Sequence, residues 1–185
     1  MSNKKVLVNE PLADYNQPLD FGKVWLMFQE TDKKFKETDR KMKELQNLFI
    51  TQWGKLMETL VEGDLINLLK SRGIDVNRTS QRVSGNHNGN PFEFDIIAMN
   101  GKDVVVVEVK TTLRVKDVKK FTEKLSLIKI WMPELANKNI LGAVAYLTQN
   151  SGSHIMAANK GLYVIRATGN SATIINDKDF KPHTY

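Results

Sequence analysis

The fold is decided by residues 93–110, which read EFDIIAMNGKDVVVVEVK. Two apolar runs lie on either side of Asn100-Gly101, a dipeptide that strongly favours a two-residue hairpin loop of type I′. The second run is apolar on both faces, which is typical of a strand in the middle of a sheet. The stretch therefore predicts two antiparallel strands, with Met99 paired to Lys102 across the turn.

Besides the charged residues at its start and in its turn, the hairpin carries Asp95 in the first apolar run and Glu108 and Lys110 at the end of the second. Counting back from the predicted turn places Asp95 opposite Val106. Because side chains alternate along a strand, Asp95, Glu108 and Lys110 then lie on one face. This prediction depends on register, since a slip of one residue would send the two carboxylates to opposite faces. The alternative is that Glu108 and Lys110 form a surface ion pair with each other. Charged residues inside a buried strand, however, usually have a function.

The periodicity around the hairpin outlines the rest of a domain. The apolar residues change from helical spacing to strand spacing after Gly73, and they return to helical spacing after the hairpin. The predicted elements are a helix over 56–72, strands over 74–83, 92–99 and 103–110, a helix over 113–131, a strand over 140–147, a helix over 153–159 and strands over 162–166 and 172–176. Turns are expected over 84–91 and at Gly169-Asn170. This order predicts an α/β domain with a mixed β-sheet flanked by helices.

The residues before this domain follow a different pattern. Residues 1–20 contain two prolines and no sustained period, which predicts a flexible arm. Residues 21–53 are expected to form a coiled-coil helix, because large apolar residues recur every seven positions. The repeat consists of Phe28, Phe35, Met42, Phe49 and Leu56, and the intervening seam positions are Val24, Thr31, Thr38, Leu45 and Gln52. Two uses of this helix remain open: dimerisation or spacing, and packing on its own domain, which spans residues 54–185.

Composition narrows the class of protein. The chain has 185 residues, a hydrophobic share of 41% and no cysteine. It can hold one domain with an appendage, and it has no disulfide or thiolate metal site. Since no apolar run reaches the length of a signal peptide or a membrane span, we expect a cytoplasmic protein with no membrane partner. The net charge of +6 is compatible with a polyanionic partner but does not establish one.

The charged residues of the hairpin fit metal-assisted chemistry. Mg²⁺ prefers oxygen ligands and keeps several waters, so Asp95 and Glu108 at a strand edge are suitable ligands. The Lys110 ammonium, two residues along the same face, could orient or help to deprotonate an attacking water. It could also stabilise the charge that develops at phosphorus.

Two segments of the hairpin, EFDIIA (93–98) and VVVVEVK (104–110), resemble the motif of the PD-(D/E)xK nuclease superfamily. That superfamily includes many restriction endonucleases and archaeal Holliday-junction resolvases. In it the Asp lies on the second strand of a meander, the Glu-x-Lys lies on the third strand, and a helix follows. The resemblance covers about residues 54–147, with Phe94 where the family motif has proline.

This resemblance implies a restriction-endonuclease-like fold and a metal-dependent nuclease. It implies that Asp95, Glu108 and Lys110 are the catalytic residues. It also implies a metal site formed by Asp95, Glu108 and an acidic residue of the helix before the first strand. Glu62 is the candidate for that third ligand, and Glu58, one turn earlier, is a weaker one. The expected cofactor is Mg²⁺, and we expect Mn²⁺ to substitute for it.

Polar and basic residues follow the Glu-x-Lys motif. Those expected to contact nucleic acid are Thr111, Thr112, Arg114, Lys116, Lys119 and Lys120. The two threonines could instead cap the helix that follows, which is the commoner role of such residues. The basic residues of the helix could likewise form an ordinary solvated face.

The function expected from these observations is a Mg²⁺-dependent DNA endonuclease that hydrolyses phosphodiester bonds. We expect DNA as the partner, and a homodimer through the N-terminal coiled coil. The alternative is a catalytically inactive nuclease-fold module for nucleic-acid binding or assembly that uses the coiled coil. An RNA or single-strand nuclease also remains open.

Overall fold

The computed structural model describes residues 21–168 and 171–185. The expected flexible arm, residues 1–20, and the expected turn at Gly169-Asn170 lie outside the described residues. The chain divides into two compact units, Met1–Asn47 and Leu48–Tyr185, and each is described by itself. Among the described residues, no helix is both long and apolar enough to cross a membrane.

The secondary structure follows the predicted order α-βββ-α-β-α-ββ. The elements are α1 (Phe21–Lys70), β1 (Arg78–His87), β2 (Asn90–Met99), β3 (Asp103–Leu113), α2 (Val115–Trp131), a short 3-10 helix (Pro133–Leu135), β4 (Asn139–Gln149), α3 (Ser153–Asn159), β5 (Tyr163–Thr168) and β6 (Ser171–Ile174). The predicted coiled-coil helix and the first predicted helix of the domain are one continuous helix, α1.

The six strands form one mixed sheet in the order β1-β2-β3-β4-β5-β6. Strands β1 to β3 are an antiparallel meander. Strands β3, β4 and β5 are parallel to one another, and β6 returns antiparallel to β5. The helices between the parallel strands are the crossovers that such strands require. The predicted α/β class with a mixed sheet flanked by helices is confirmed.

Two apolar clusters form the core of the second unit. One joins the sheet to α1 through Met57, Val61, Leu65 and Leu69, and the other joins it to α2 through Val118, Phe121, Leu125 and Ile128. The valines of β3 alternate between them: Val105 and Val107 belong to the α1 cluster, and Val104 and Val106 belong to the α2 cluster. Strand β3 is therefore buried on both faces, as its sequence predicts.

The β2–β3 turn differs from the expected two-residue loop. Met99 pairs with Val104, not with Lys102, so four residues separate the paired positions. The side chain of Asn100 causes this, because its Oδ1 accepts hydrogen bonds of 2.7 Å from the backbone N–H groups of Lys102 and Asp103. Such an Asx turn competes with the type I′ loop. The register prediction was wrong by two positions, a shift that by itself does not move a side chain to the other face.

A tight two-residue loop is found at the other Asn-Gly dipeptide of the sequence. His87 pairs with Asn90, so Asn88 and Gly89 alone connect β1 to β2. Their φ angles of 51° and 85° are both positive, as a type I′ turn requires. Most of the turn expected over residues 84–91 is therefore strand.

The α1 residues of the first unit are helical, and residues 25–47 are exposed. The large apolar side chains of the predicted heptad that the structure describes are Phe28, Phe35, Met42 and Leu45, and each is more than 60% exposed. The side chains of Phe49 and Leu56 lie outside the described residues. The helix is thus as expected, and its pairing in a coiled coil stays a prediction.

Candidate active site

The sheet brings Asp95, Glu108 and Lys110 together, as the sequence predicts. The Lys110 Nζ atom lies 2.6 Å from Glu108 Oε1 and 3.9 Å from Asp95 Oδ2. The ladder between β2 and β3 ends at the pair Ile96–Val107, one step before Asp95 and Glu108. Beyond that pair, the side chain of Asp95 replaces a backbone acceptor: its Oδ2 atom accepts a 2.7 Å hydrogen bond from the Val109 N–H. The carboxylate is thereby fixed against the next strand.

The alternation of side chains is broken where β2 carries Asp95. Phe94 belongs to the α2 cluster and Ile96 to the α1 cluster, although residues two apart on a regular strand share a face. On β1, Arg82 stands between residues that pair with Ile96 and Phe94, and it has a φ of 50°. A positive φ is unusual for arginine and strains the backbone. Both strands are therefore irregular beside the carboxylates.

Lys124 is a fourth member of the site. Its Nζ lies 3.0 Å from Glu108 Oε2 and 5.1 Å from the centre of the Phe94 ring. The helix spacing contains a signal for this position, because Lys124 lies three residues after the buried Phe121 and four before the buried Ile128. We call Asp95, Glu108, Lys110 and Lys124 the charge cluster.

The acids of the charge cluster have pKa values shifted in opposite directions. Burial raises the pKa of Asp95, and the nearby Glu108 carboxylate raises it further, against the opposing effects of the Val109 N–H and the two lysines. Burial would also raise the pKa of Glu108, but Lys110 and Lys124 together lower it. Glu108 is the firmly ionised acid, and Asp95 is the more easily protonated one.

The pKa of Lys110 is raised. Burial alone would lower it, but the ion pair and hydrogen bond with Glu108 outweigh burial, with a further contribution from Asp95. Lys110 is therefore held as an ammonium ion at neutral pH. In this state it can stabilise negative charge, and it is not a base.

Glu62 is engaged elsewhere. It accepts a 2.7 Å hydrogen bond from Thr79 Oγ1 and another from Gln81 Nε2, both on β1. Among the described residues, no three His, Cys, Asp or Glu side chains are grouped so that they could hold a metal ion. The contacts of Glu62 are with β1, and its role as a third ligand beside Asp95 and Glu108 stays a prediction.

Glu58 binds the irregular Arg82. The Arg82 guanidinium donates from Nε (2.9 Å) and from one terminal nitrogen (3.3 Å) to the two oxygens of Glu58. Glu58 raises the pKa of Arg82, and Asp95 contributes to that increase. The contribution of Glu93 is larger than that of Asp95, and the contacts of Arg82 are with the α1 acid Glu58. Sequence reasoning missed Arg82, because nothing in a strand sequence marks a non-glycine residue with positive φ.

The expected nucleic-acid contacts separate into two groups. Arg114, Lys116, Lys119 and Lys120 are exposed, whereas Thr111 and Thr112 are half-buried in β3. The Thr112 hydroxyl hydrogen-bonds that of Thr148 at 2.8 Å, and α2 begins only after Arg114, whose backbone N–H is capped by Asp117. The idea that the threonines cap the helix was wrong, because β3 continues through them to Leu113.

The donors of the charge cluster fit a hard divalent cation. Asp95 and Glu108 supply oxygen donors from adjacent strands, and Mg²⁺ is commonly bound through one or two carboxylates while it keeps several waters. The positive charges of the Lys110 and Lys124 ammonium groups neutralise the negative charges of the same two carboxylates. A cation at this position would therefore compete with the lysines for Glu108.

Comparison with known proteins gives a family match but no activity. The model of a family described as a domain of unknown function (DUF8196) matches residues 64–174, which include the whole charge cluster. No curated protein matches significantly.

Three solved structures are similar to part of the chain. A protein of unknown function, AF1548, is 14% identical with a TM-score of 0.38, over 54% of this chain and 53% of that one. A repair endonuclease from Pyrococcus abyssi is 18% identical with a TM-score of 0.39, over 57% of this chain and 46% of that one. An EndoMS–dsDNA complex is 13% identical with a TM-score of 0.37, over 63% and 46%. The chain spans about half the length of these proteins, and no activity follows from likenesses this partial.

Proposed function

Since the chain belongs to the DUF8196 family, whose description assigns no activity, we propose from its own site that it is a metal-dependent DNA endonuclease. The observation that carries the proposal is the convergence of Asp95, Glu108 and Lys110 on adjacent strands. Strands β2 and β3 are apolar around them, and the side chains of Asp95 and Glu108 are only 19% and 13% exposed. Burying charged groups costs stability unless they are paired, so such a cluster in a core strand points to chemistry.

Asp95 and Glu108 would hold the cation. When bound, Mg²⁺ would supply electrostatic stabilisation of a phosphate that gains negative charge during hydrolysis. Asp95 is suited to a ligand role because the Val109 N–H fixes its carboxylate in place. Glu108 is suited to it because it stays ionised.

Lys110 would contact the reacting phosphate. Its ammonium lies between the two carboxylates and is held in the charged form. A preorganised positive charge in a partly buried site stabilises a developing negative charge better than the same charge in water. In this proposal Lys110 orients the attacking water and neutralises charge, and it does not remove the proton.

DNA is the proposed substrate because exposed cations lie on the helix that carries Lys124. Arg114, Lys116, Lys119 and Lys120 are exposed on and just before α2. Phosphate contacts by such residues position a duplex without reading its sequence. The same residues would accept RNA phosphates, so the substrate class has to be tested directly.

The test is cleavage of plasmid DNA, single-stranded DNA and RNA with Mg²⁺, with Mn²⁺ and with EDTA. We expect nicking or cutting of the plasmid with either metal, no cutting with EDTA, and none by Asp95→Asn. Asp103→Asn is the matched control, because it makes the same chemical change on β3 outside the charge cluster. Equal cleavage by wild type and Asp95→Asn would refute the assignment, and faster cleavage of RNA than of DNA would change the substrate.

One observation favours a second candidate, a binding or assembly module without catalysis. Glu108 already has two ammonium partners, at 2.6 Å and 3.0 Å, and the charge cluster is neutral without a cation. For this candidate we expect DNA binding in a gel-shift assay, no metal-dependent cleavage of any substrate, and the same DNA affinity for wild type and Asp95→Asn.

A further inference from the structure

The exposed helix of the first unit has the seven-residue repeat of a coiled coil. In a heptad labelled a to g, the described a positions are Phe28, Phe35 and Met42, and the described d positions are Val24, Thr31, Thr38 and Leu45. The three a side chains are 66%, 67% and 62% exposed, and Leu45 is 63% exposed. A row of large apolar side chains of this kind, even with threonines between them, is rarely left in water by a soluble protein.

The apolar stripe is broader at the ends of this segment. Trp25 and Met27 flank the first heptad at positions e and g, and Leu48 occupies a later g position. They are 56%, 61% and 57% exposed. A helix pair buries the e and g positions together with a and d, so these residues extend the same surface.

The polar d positions are compatible with burial. The Thr31 hydroxyl donates to the Met27 carbonyl at 2.8 Å, and the Thr38 hydroxyl donates to the Lys34 carbonyl at 2.9 Å. Both hydroxyls are therefore satisfied within their own helix. Pairing along the stripe would leave neither of them without a hydrogen-bond partner.

The charges beside the stripe distinguish the two possible helix directions. The g positions carry Lys34 and Lys41, and the e positions carry Asp32 and Asp39. In a parallel pair each g residue faces the e residue of the next heptad on the other helix, which places Lys34 beside Asp39 of the second copy. In an antiparallel pair g faces g and e faces e, which brings lysine to lysine and aspartate to aspartate.

The two residues that would pair between copies are available. Asp32 already has an ion pair with Lys36 of the same helix at 2.6 Å, and Arg40 has one with Glu44 at 3.3 Å. Within the described part of the chain, neither Lys34 nor Asp39 has an ion pair. By symmetry, a parallel pair would form two Lys34–Asp39 contacts.

We propose that residues 24–48 bind a second copy of this chain as a parallel, in-register, two-stranded coiled coil. The occupant is a second copy because the e and g charges complement themselves under two-fold symmetry. A closed two-fold pair buries the whole stripe of both helices. This inference does not depend on the proposed nuclease activity.

The absence of cysteine from the sequence permits a direct test in the full-length protein. Thr31→Cys and Leu45→Cys each place one thiol at a d position, at opposite ends of the segment. In a parallel in-register pair each variant cross-links to itself under mild oxidation, because d faces d of the second copy. Lys33→Cys, at the outward f position, is the control that should not cross-link.

The outcomes separate the alternatives. Self-cross-linking of both d variants, with a wild-type mass by light scattering of twice 21.1 kDa, supports the proposal. If Thr31→Cys does not cross-link to itself but cross-links when mixed with Met42→Cys, the pair is antiparallel, because each d position then faces an a position of the second copy; this outcome overturns the proposal. A wild-type mass of 21.1 kDa at micromolar concentration, without cross-linking, also overturns it.

Charge reversal provides a second measurement that needs no oxidation. Lys34→Asp places like charges together at two symmetric sites. We therefore expect the dissociation constant of the dimer to rise by roughly tenfold. Adding Asp39→Lys restores opposite charges and should restore the wild-type dissociation constant. Equal dissociation constants for wild type and Lys34→Asp, or no recovery in the double variant, would contradict the parallel arrangement.

Discussion

Replacing each acid of the charge cluster by its isosteric amide should change stability very differently at the two positions. Glu108 accepts two charge-assisted hydrogen bonds, and Gln would leave Lys110 and Lys124 with a neutral partner. Each such bond contributes about 1.5–3 kcal/mol, and solvent at the partly exposed lysines reduces that value. We expect Glu108→Gln to lower the free energy of unfolding by about 2–3 kcal/mol at neutral pH.

Asp95→Asn should lower the free energy of unfolding little or not at all. The raised pKa of Asp95 means that the folded protein favours the uncharged form of this group. The amide oxygen of Asn can still accept the hydrogen bond from Val109, while the repulsion from Glu108 disappears. We expect the free energy of unfolding to remain within about 0.5 kcal/mol of wild type or to rise by up to about 1 kcal/mol. A stabilising change that removes activity is typical of a functional site.

The two variants should also differ in their dependence on pH. Because the folded-state pKa of Glu108 is lowered, its stabilisation is present above the unfolded-state pKa and is lost as pH falls through the folded value. The deficit of Glu108→Gln should therefore be largest at neutral pH and disappear in acid. For Asp95 the shift is upward, so any gain from Asp95→Asn is absent in acid, develops as pH rises above the unfolded-state pKa and is complete above the raised folded-state pKa.

The assay is urea unfolding followed by circular dichroism, with EDTA present, from neutral to acidic pH. Plasmid cleavage with Mg²⁺ is measured on the same preparations, and both variants should lose it. The reasoning would be refuted if the two variants lost equal stability at neutral pH, or if the deficit of Glu108→Gln were unchanged in acid.

Three further predictions concern single parts of the site. Lys110→Ala should abolish plasmid cleavage while gel-shift assays show unchanged DNA affinity, because one ammonium near the reacting phosphate contributes little to binding a whole duplex. Arg82→Ala should reduce cleavage by roughly tenfold and leave far-UV circular dichroism unchanged, since it removes the ion pair with Glu58 that holds the irregular β1 backbone beside Asp95. Replacing Lys119 and Lys120 together by Gln should reduce the salt dependence of DNA binding, measured as the slope of log K against log salt, by about 0.9 per lost phosphate contact.

The meander and its charged residues could be predicted because they depend on local patterns. The apolar run of β3 is buried on both faces, and its two charged residues are conspicuous there. The prediction that Asp95 shares a face with Glu108 is correct even though the turn was wrong. The error was two residues, an even number, and only an odd shift moves a side chain to the other face.

The turn itself shows where local patterns are insufficient. The sequence contains two Asn-Gly dipeptides, and only Asn88-Gly89 forms the tight loop. Asn100 instead uses its side chain to accept two backbone hydrogen bonds. The same dipeptide can therefore use backbone conformation or side-chain capping, and the register of the neighbouring strands decides between them.

The partners of the acids could not be predicted from spacing alone. Lys124 reaches Glu108 only because α2 packs on the face of β3 that carries this acid. Glu62 lies at the helical position expected for a third ligand, but Thr79 and Gln81 of β1 occupy it. These contacts join elements far apart in the sequence, and their geometry depends on how the helices cross the sheet.

The charge cluster reconciles a stable protein with a site suited to a cation. Two buried carboxylates without partners would repel each other and destabilise the fold, and the two lysines remove that cost. The compensation is unequal, since Glu108 receives both close ammonium contacts while Asp95 receives only a distant one and a backbone N–H. Burial and the Glu108 carboxylate together raise the pKa of Asp95 despite these partners, so Asp95 is the acid whose charge is less fully compensated. A cation attracted first to Asp95 and then to Glu108 would displace ammonium groups without breaking a core contact. The lysines stabilise the protein without a metal and would remain nearby to stabilise phosphate once a metal binds.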